Sequence, residues 1–191
     1  SRMSNAPPAA WQLPGAFRWT WLFGLMAAMV LLAGMGATYW LARFEDDRMR
    51  SELLIQGRMA AETVDSWRVE SLSGSAADLQ SPDYHNLKAH LKLLRSVNPD
   101  CRFIYLAGLK DGAVVFLVDS EEPGSNHYSP PGQVYQEASE AFRQVFATGV
   151  ESVAGPAADR WGSRVSALVP LPAAKGVQPL AVLGMDIDAG Q

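Results

Sequence analysis

The side chains best suited to recognising a small molecule lie in the second half of this sequence, within or beside β-forming runs. Trp161 and Arg164 flank Gly162, and an aromatic ring beside a guanidinium group is suited to recognising a carboxylate. Tyr105 and Tyr135 carry phenolic hydroxyl groups on rings large enough to wall a small pocket. These residue types predict a polar binding site.

Each of these side chains also has an ordinary structural explanation. Tyr105 alternates with Ile104 and Leu106, which is typical of a half-buried strand, and we favour packing for both tyrosines. An exposed turn at the edge of a core explains Trp161 equally well. For Arg164 a position outside a pocket is the favoured interpretation.

Metal binding, hydrolysis and nucleic-acid binding are poorly supported. His85 and His90 are five residues apart, about 140° around a helix, so they do not converge on one ligand, and His127 lies in a distant loop. We therefore expect no metal and no cofactor. No Gly-x-Ser-x-Gly elbow is present, so a hydrolase has only compositional support. A net charge of -4 without a basic block argues against nucleic acid, and lone Cys101 cannot form an internal disulfide.

Residues 19–42 contain no charged residue, and this run determines where the residues that follow it can lie. At 1.5 Å per helical residue it covers roughly 36 Å, more than the hydrocarbon core of a bilayer. A secretory signal has a shorter apolar core, and a buried helix of a soluble protein seldom lacks charge on every face. The run predicts an uncleaved transmembrane helix.

The short leading tail favours one orientation of that helix. Residues 1–18 carry Arg2 and Arg18 and no acid, whereas the far flank mixes basic and acidic residues. Because both flanks carry basic residues, a count of basic residues alone does not determine the orientation of the helix. We predict a cytoplasmic tail over 1–18 and an extracytoplasmic domain over 44–191, in a periplasm or its equivalent. About 145 residues fit a single domain.

A long amphipathic helix is predicted over residues 44–72. Its apolar positions recur at three-, four- and seven-residue steps. They are Met49, Leu53, Ala60, Val64 and Trp67. This stripe either seals a homodimer through a short coiled-coil-like seam or packs on the domain's own sheet, and the two are not exclusive.

The remaining pattern predicts an α+β domain in which helices flank one five-stranded antiparallel sheet. A second helix is expected over 84–97 and a third over 137–147, closed by Gly149. The polar, proline-rich segment 120–133 is a loop of the length that often contacts ligands. The predicted strands are 102–108, 113–119, 150–154, 161–171 and 180–187.

With that order of elements, the chain resembles the PAS-like extracytoplasmic sensor domains known as PDC or Cache domains. These lie beside the membrane span of bacterial histidine kinases, diguanylate cyclases and chemoreceptors. The segments that carry the resemblance are FIYLAGLKDGAVVFLVDS (103–120), YSPPGQVY (128–135), DRWGSRVSALVPL (159–171) and AVLGMDID (181–188).

The resemblance implies a sensor that is the front part of a longer receptor. The resemblance makes Asp186 the best single candidate for a ligand-binding residue, because several Cache domains use a strand carboxylate to accept hydrogen bonds from a ligand ammonium or amide group. An exposed acid at a strand end is the alternative. A histidine kinase, or next a diguanylate cyclase, would supply the output from outside this chain, which carries no such enzyme motif.

Two classes of function compete, and a membrane-anchored hydrolase, which would need a nucleophile and a base within hydrogen-bond reach, is a weaker third. One is a membrane-anchored sensor that binds a small molecule and relays a signal through the helix at 44–72. The other is a ligand-free PAS-like domain for dimerisation or partner docking. A cavity on the order of 300 Å³ would favour binding. A sheet face filled by Phe103, Phe116 and Leu168 would favour the ligand-free domain.

Overall fold

The computed structural model describes residues 15–159, 162–173 and 178–189. These ranges contain four α-helices, one 3₁₀ helix and five strands. The helices are α1 (Gly15–Glu62), α2 (Ser66–Glu70), the 3₁₀ helix (Ala76–Gln80), α3 (Pro82–Val97) and α4 (Glu140–Thr148). The strands are β1 (Phe103–Lys110), β2 (Ala113–Asp119), β3 (Ser152–Asp159), β4 (Gly162–Leu171) and β5 (Ala181–Asp188).

The chain divides into two compact units, residues 1–47 and residues 48–191. In the first unit the described residues belong to α1, whose large apolar side chains from Trp21 to Phe44 are exposed. Among the described residues, one helix is long and apolar enough to cross a membrane, judged by its length and composition. The boundaries 1–18, 19–42 and 44–191 remain predictions.

The second unit is built on one antiparallel sheet with the strand order β2-β1-β5-β4-β3. The last strand in sequence, β5, lies at the centre and pairs with β1 on one side and β4 on the other. This confirms the predicted five-stranded antiparallel sheet with flanking helices. The predicted strand limits agree within about two residues except for β3, which continues to Asp159.

One side of the sheet, here called the helix-packed face, is covered by α3 and by the part of α1 from Arg48 onward. Ile104, Leu106 and Leu183 point to this side because side chains alternate along a strand. They pack against Leu53, Ala60 and Val64 of the predicted stripe, together with Leu87 and Leu91. Packing of these stripe residues on the domain's own sheet is therefore confirmed.

The predicted helix 44–72 is wrong at its C-terminal end. α1 ends at Glu62, where the amides of Thr63 and Val64 bond to carbonyls three residues back, and Asp65 is extended with φ -69 and ψ 95. This break resets the helical phase before Trp67. Trp67 is therefore 58% exposed, with the Arg68 guanidinium 4.2 Å from its ring centroid, and is not part of the buried stripe.

The opposite side of the sheet, here called the site face, is covered by α4 and by the residues between β2 and α4. Ser139 begins α4 by accepting a hydrogen bond from the Phe142 amide, 3.3 Å away. Gly149 closes the helix with a left-handed φ of 67, as its sequence position predicts. The helix presents Phe142, Val145 and Phe146 to the sheet.

Candidate functional site

Strand alternation brings the predicted site residues of three adjacent strands onto the site face. Phe103 and Tyr105 of β1 lie beside Asp186 and Gly184 of β5 in the antiparallel register. On the other side of β5, Asp186 is opposite Ser166, and Arg164 lies two residues before Ser166 on β4. The central strand thus places its carboxylate between the aromatic rings of β1 and the guanidinium group of β4.

These side chains surround a small cavity of ≈ 20 Å³, which has room for roughly one water molecule. It is lined by Phe103, Tyr105, Phe116, Asp119, His127, Ser129, Tyr135, Arg164 and Asp186. Four of the five predicted site residues therefore line one cavity. The fifth, Trp161, lies outside the described residues.

Arg164 and Asp186 are charged side chains set into an aromatic layer. They are 3% and 4% exposed, so neither the strand-end position considered for Asp186 nor the external position favoured for Arg164 holds. The Arg164 guanidinium carbon lies 4.6 Å from the centroid of the Phe103 ring. Guanidinium and carboxylate groups in one cavity can bind a carboxylate and an ammonium group, respectively.

Tyr105 and Tyr135 form the aromatic wall between this cavity and a second one of ≈ 50 Å³, which Arg164 also lines. Their rings meet edge to face at a centroid distance of 6.1 Å, and Tyr105 also stacks on Phe142 at 6.4 Å. Tyr105 lies directly over Gly184, where a Cβ atom would come within 2.3 Å of its ring. Both tyrosines therefore pack, as favoured from the sequence, and also line the cavity.

Comparison with solved structures identifies this arrangement of strands and helices. The sensory domain of the Campylobacter jejuni chemoreceptor Tlp3 matches with a TM-score of 0.51 and 15% identity, over 77% of this chain and 55% of that one. The Tlp3 ligand-binding domain in complex with 4-methylisoleucine matches with a TM-score of 0.50 and 15% identity, over 77% and 53% of the two chains.

The chain has a fold similar to a chemoreceptor sensory domain. The predicted resemblance to extracytoplasmic sensor domains is thus confirmed at the level of the fold. This chain spans about half the length of the Tlp3 domains it matches. No family model and no curated protein matches it.

Three polar residues that line the cavity were missed from the sequence: Asp119, His127 and Ser129. The Asp119 carboxylate accepts hydrogen bonds from the backbone amides of Ser129 at 2.7 Å and Glu121 at 3.1 Å. Burial raises the pKa of the Asp119 carboxyl group, and the two amide bonds oppose that shift. The sequence feature that could have indicated two of these residues is the long polar loop after β2, to which His127 and Ser129 belong.

The other two histidines lie away from this cavity. His85 interacts with the backbone carbonyl of Leu79 at 3.0 Å, and His90 with the hydroxyl group of Thr63 at 2.9 Å. Within the described ranges, no group of three or more His, Cys, Asp or Glu side chains is arranged to hold a metal ion. Cys101 is buried, and burial raises the pKa of its thiol to about 12, so this thiol is a poor nucleophile.

Proposed function

We propose that this chain is the sensing part of a membrane-anchored receptor and that it binds a small molecule on the site face. One observation carries the proposal: Arg164 and Asp186 are almost fully buried in an aromatic layer and line the same cavity. Burying charged groups costs free energy that an apolar core avoids. Recognition of a charged ligand by a receptor would explain why these two charged groups are buried.

The ligand we propose carries both a carboxylate and an ammonium group. Arg164 is suited to the carboxylate, and Asp186 to the ammonium group. The Tlp3 domain with the similar fold is in complex with 4-methylisoleucine, an amino acid, which supports this class. Because the cavity is only ≈ 20 Å³, the aromatic wall and the covering loop must move apart to admit such a ligand.

The rest of the receptor follows from the predicted membrane helix. We place the sensor domain outside the cytoplasm, in the periplasm or extracellular space, with residues 1–18 inside. The signal would pass through α1 to an output module outside this chain, a histidine kinase first and a diguanylate cyclase second. The receptor would act as a homodimer. A reporter fused after Gly149 tests the orientation, and activity only of a cytoplasm-specific reporter would reverse it.

A ligand-free domain for dimerisation or docking is the second candidate. The cavity is far below the roughly 300 Å³ of typical ligand sites. Phe103, Phe116 and Leu168 are all buried and fill much of the site face. Such a domain would need neither Arg164 nor Asp186 for function, and replacing the buried charges with apolar side chains would then be neutral or stabilising.

Binding of amino acids by the wild type and by Asp186→Asn separates these candidates. A thermal-shift screen of residues 44–191 finds the best amino acid, and calorimetric titration then measures its affinity. Loss of a charge-assisted hydrogen bond of about 1.5 to 3 kcal/mol lowers affinity roughly 10- to 100-fold. Asp188→Asn is the matched control, because Asp188 is an exposed acid on the same strand.

Equal affinities of wild type and Asp186→Asn would remove Asp186 from the site. A screen in which no amino acid raises the melting temperature, together with an Arg164→Met/Asp186→Leu double variant at least as stable as wild type, would support the ligand-free domain.

A further inference from the structure

The cavity is covered by residues 119–129, here called the roof. Asp119, His127 and Ser129 of the roof face the cavity. The two ends of the roof are joined on this side, because the Asp119 carboxylate accepts the Ser129 amide hydrogen bond. Any ligand larger than the ≈ 20 Å³ cavity must displace the roof or the aromatic wall.

The other side of the roof is held by α3. The buried ammonium group of Lys88 donates hydrogen bonds to the backbone carbonyl of Asp119, at 2.6 Å, and to that of Glu121. It also lies 4.8 Å from the centroid of the Tyr128 ring. One side chain of α3 thus contacts both the beginning and the end of the roof.

Arg95 adds a second attachment two turns along the same helix. Its guanidinium nitrogen lies 2.6 Å from a carboxylate oxygen of Glu121, which is itself mostly buried. Lys92 pairs with Glu122 between these positions, but both side chains are well exposed. An exposed pair of this kind contributes little. Lys88 and Arg95 are therefore the charged attachments that count, and the Tyr84 hydroxyl of α3 adds a neutral contact to the Tyr128 hydroxyl at 3.1 Å.

α3 also contacts α1 and the turn that follows it. The Asn98 amide group donates to the Gln56 side-chain oxygen at 2.7 Å. His90 is hydrogen-bonded to Thr63 at 2.9 Å. α3 therefore lies between the roof of the cavity and the end of α1, with polar contacts to both.

We propose that Lys88 and Arg95 are positioning residues that make opening of the roof and movement of α3 against α1 a single event. The attachments of α3 to the roof use carbonyl and carboxylate groups that are buried. Breaking them to move the roof alone would leave a buried ammonium group without its acceptors, which is costly. α3 must therefore shift with the roof, within the limits that the buried Leu87 and Leu91 set. This inference rests on the proposed ligand site, but its mechanical part holds without any ligand.

Hydrogen exchange of the unliganded residues 44–191 tests the proposal. In the wild type we expect amides of the roof and of residues 56–63 to open together, with similar opening free energies. In Lys88→Met the roof amides should exchange about tenfold faster, while residues 56–63 and the central strands β1 and β5 keep their protection. Lys88→Arg retains a charged donor and should recover part of the protection of the roof. Arg95→Gln should accelerate the roof about two- to threefold and leave residues 56–63 unchanged.

Arg143→Gln is the control, because Arg143 forms an exposed ion pair with Glu140 on α4, the helix that covers the other face. It should leave both segments unchanged. Clearly different opening free energies of the two segments in the wild type, or equal acceleration of both segments in Lys88→Met, would overturn the proposal. If Lys88→Met does not fold, Arg95→Gln decides alone. Absence of amino-acid binding would contradict the proposed function and leave this coupling intact.

Discussion

Both faces of the sheet are covered by packed side chains, but the two layers differ in their chemistry. The helix-packed face is an apolar core around Leu91 and Leu183, both fully buried. The site face combines aromatic rings with buried Arg164 and Asp186 and leaves cavities of ≈ 20 and ≈ 50 Å³. Since both faces use the same strands, the difference shows where stability is concentrated and where recognition is proposed.

The comparison also separates rigid parts from movable ones. On the helix-packed face, Gly57 lets α1 approach β4 so closely that a Cβ atom there would be 3.1 Å from Val169. On the site face, the roof is a loop held by polar contacts to Lys88 and Arg95. Loops with few apolar contacts open at lower free energy than a packed core.

The largest effect is expected from Leu91→Ala on the helix-packed face. Leu91 is 0% exposed, and the cavity left by truncation should lower the free energy of unfolding by about 2 to 5 kcal/mol. Leu93→Ala, on the same helix but exposed, should cost less than about 0.5 kcal/mol. Urea denaturation measures both. Similar losses for the two variants would mean that this face is not the principal core.

Gly184→Ala tests how tightly the site face is packed. Because the new Cβ atom would lie 2.3 Å from the Tyr105 ring, the ring must move, at a cost of about 1 to 3 kcal/mol. In a Tyr105→Ala background the same substitution should cost almost nothing further, so a double-mutant cycle isolates the clash. An equal cost in both backgrounds would show that Gly184 is needed for another reason.

How much of each face could be predicted depends on how far apart in the sequence the contacting residues lie. Alternation around Tyr105 and the Lys-Asp-Gly turn were enough to predict β1 and β2, because both signals are local. The pairing of Phe103 with Asp186 joins strands about eighty residues apart, and no local pattern encodes it. Tyr105, Tyr135, Arg164 and Asp186 were named from side-chain chemistry and the family resemblance, but their meeting in one cavity required the structure.

The errors have two different causes, one local and one tertiary. Residues 63–65 contain neither glycine nor proline, so the end of α1 carries no strong breaker signal and Trp67 was placed on the stripe. Asp119 ends a predicted strand, and its role in the cavity depends on how the roof folds back to Ser129. Loop conformation of that kind depends on tertiary contacts with Lys88 and Arg95.

A smaller effect, confined to one face, is expected from Ser139→Ala. Loss of the hydroxyl group that caps α4 should cost about 1 kcal/mol. Ser81→Ala removes the corresponding cap of α3 and should cost a similar amount. Hydrogen exchange distinguishes the two: only Ser139→Ala should loosen α4 over the site face. Loosening of α4 by both variants would argue that the faces are not independent.

The smallest effect is expected from Trp67→Ala, which tests the corrected end of the α1 stripe. Trp67 is 58% exposed, and its stacking on Arg68 is a surface cation–π contact worth about 0.5 to 1 kcal/mol. Val69, two residues later in α2, is buried in the core of the helix-packed face. Val69→Ala should therefore lower the urea midpoint more than Trp67→Ala, although it removes far fewer atoms. If Trp67→Ala proves the more damaging variant and also changes the sedimentation behaviour of residues 44–191, Trp67 lies in a contact between two copies of the chain, and the dimer interpretation of the stripe gains direct support.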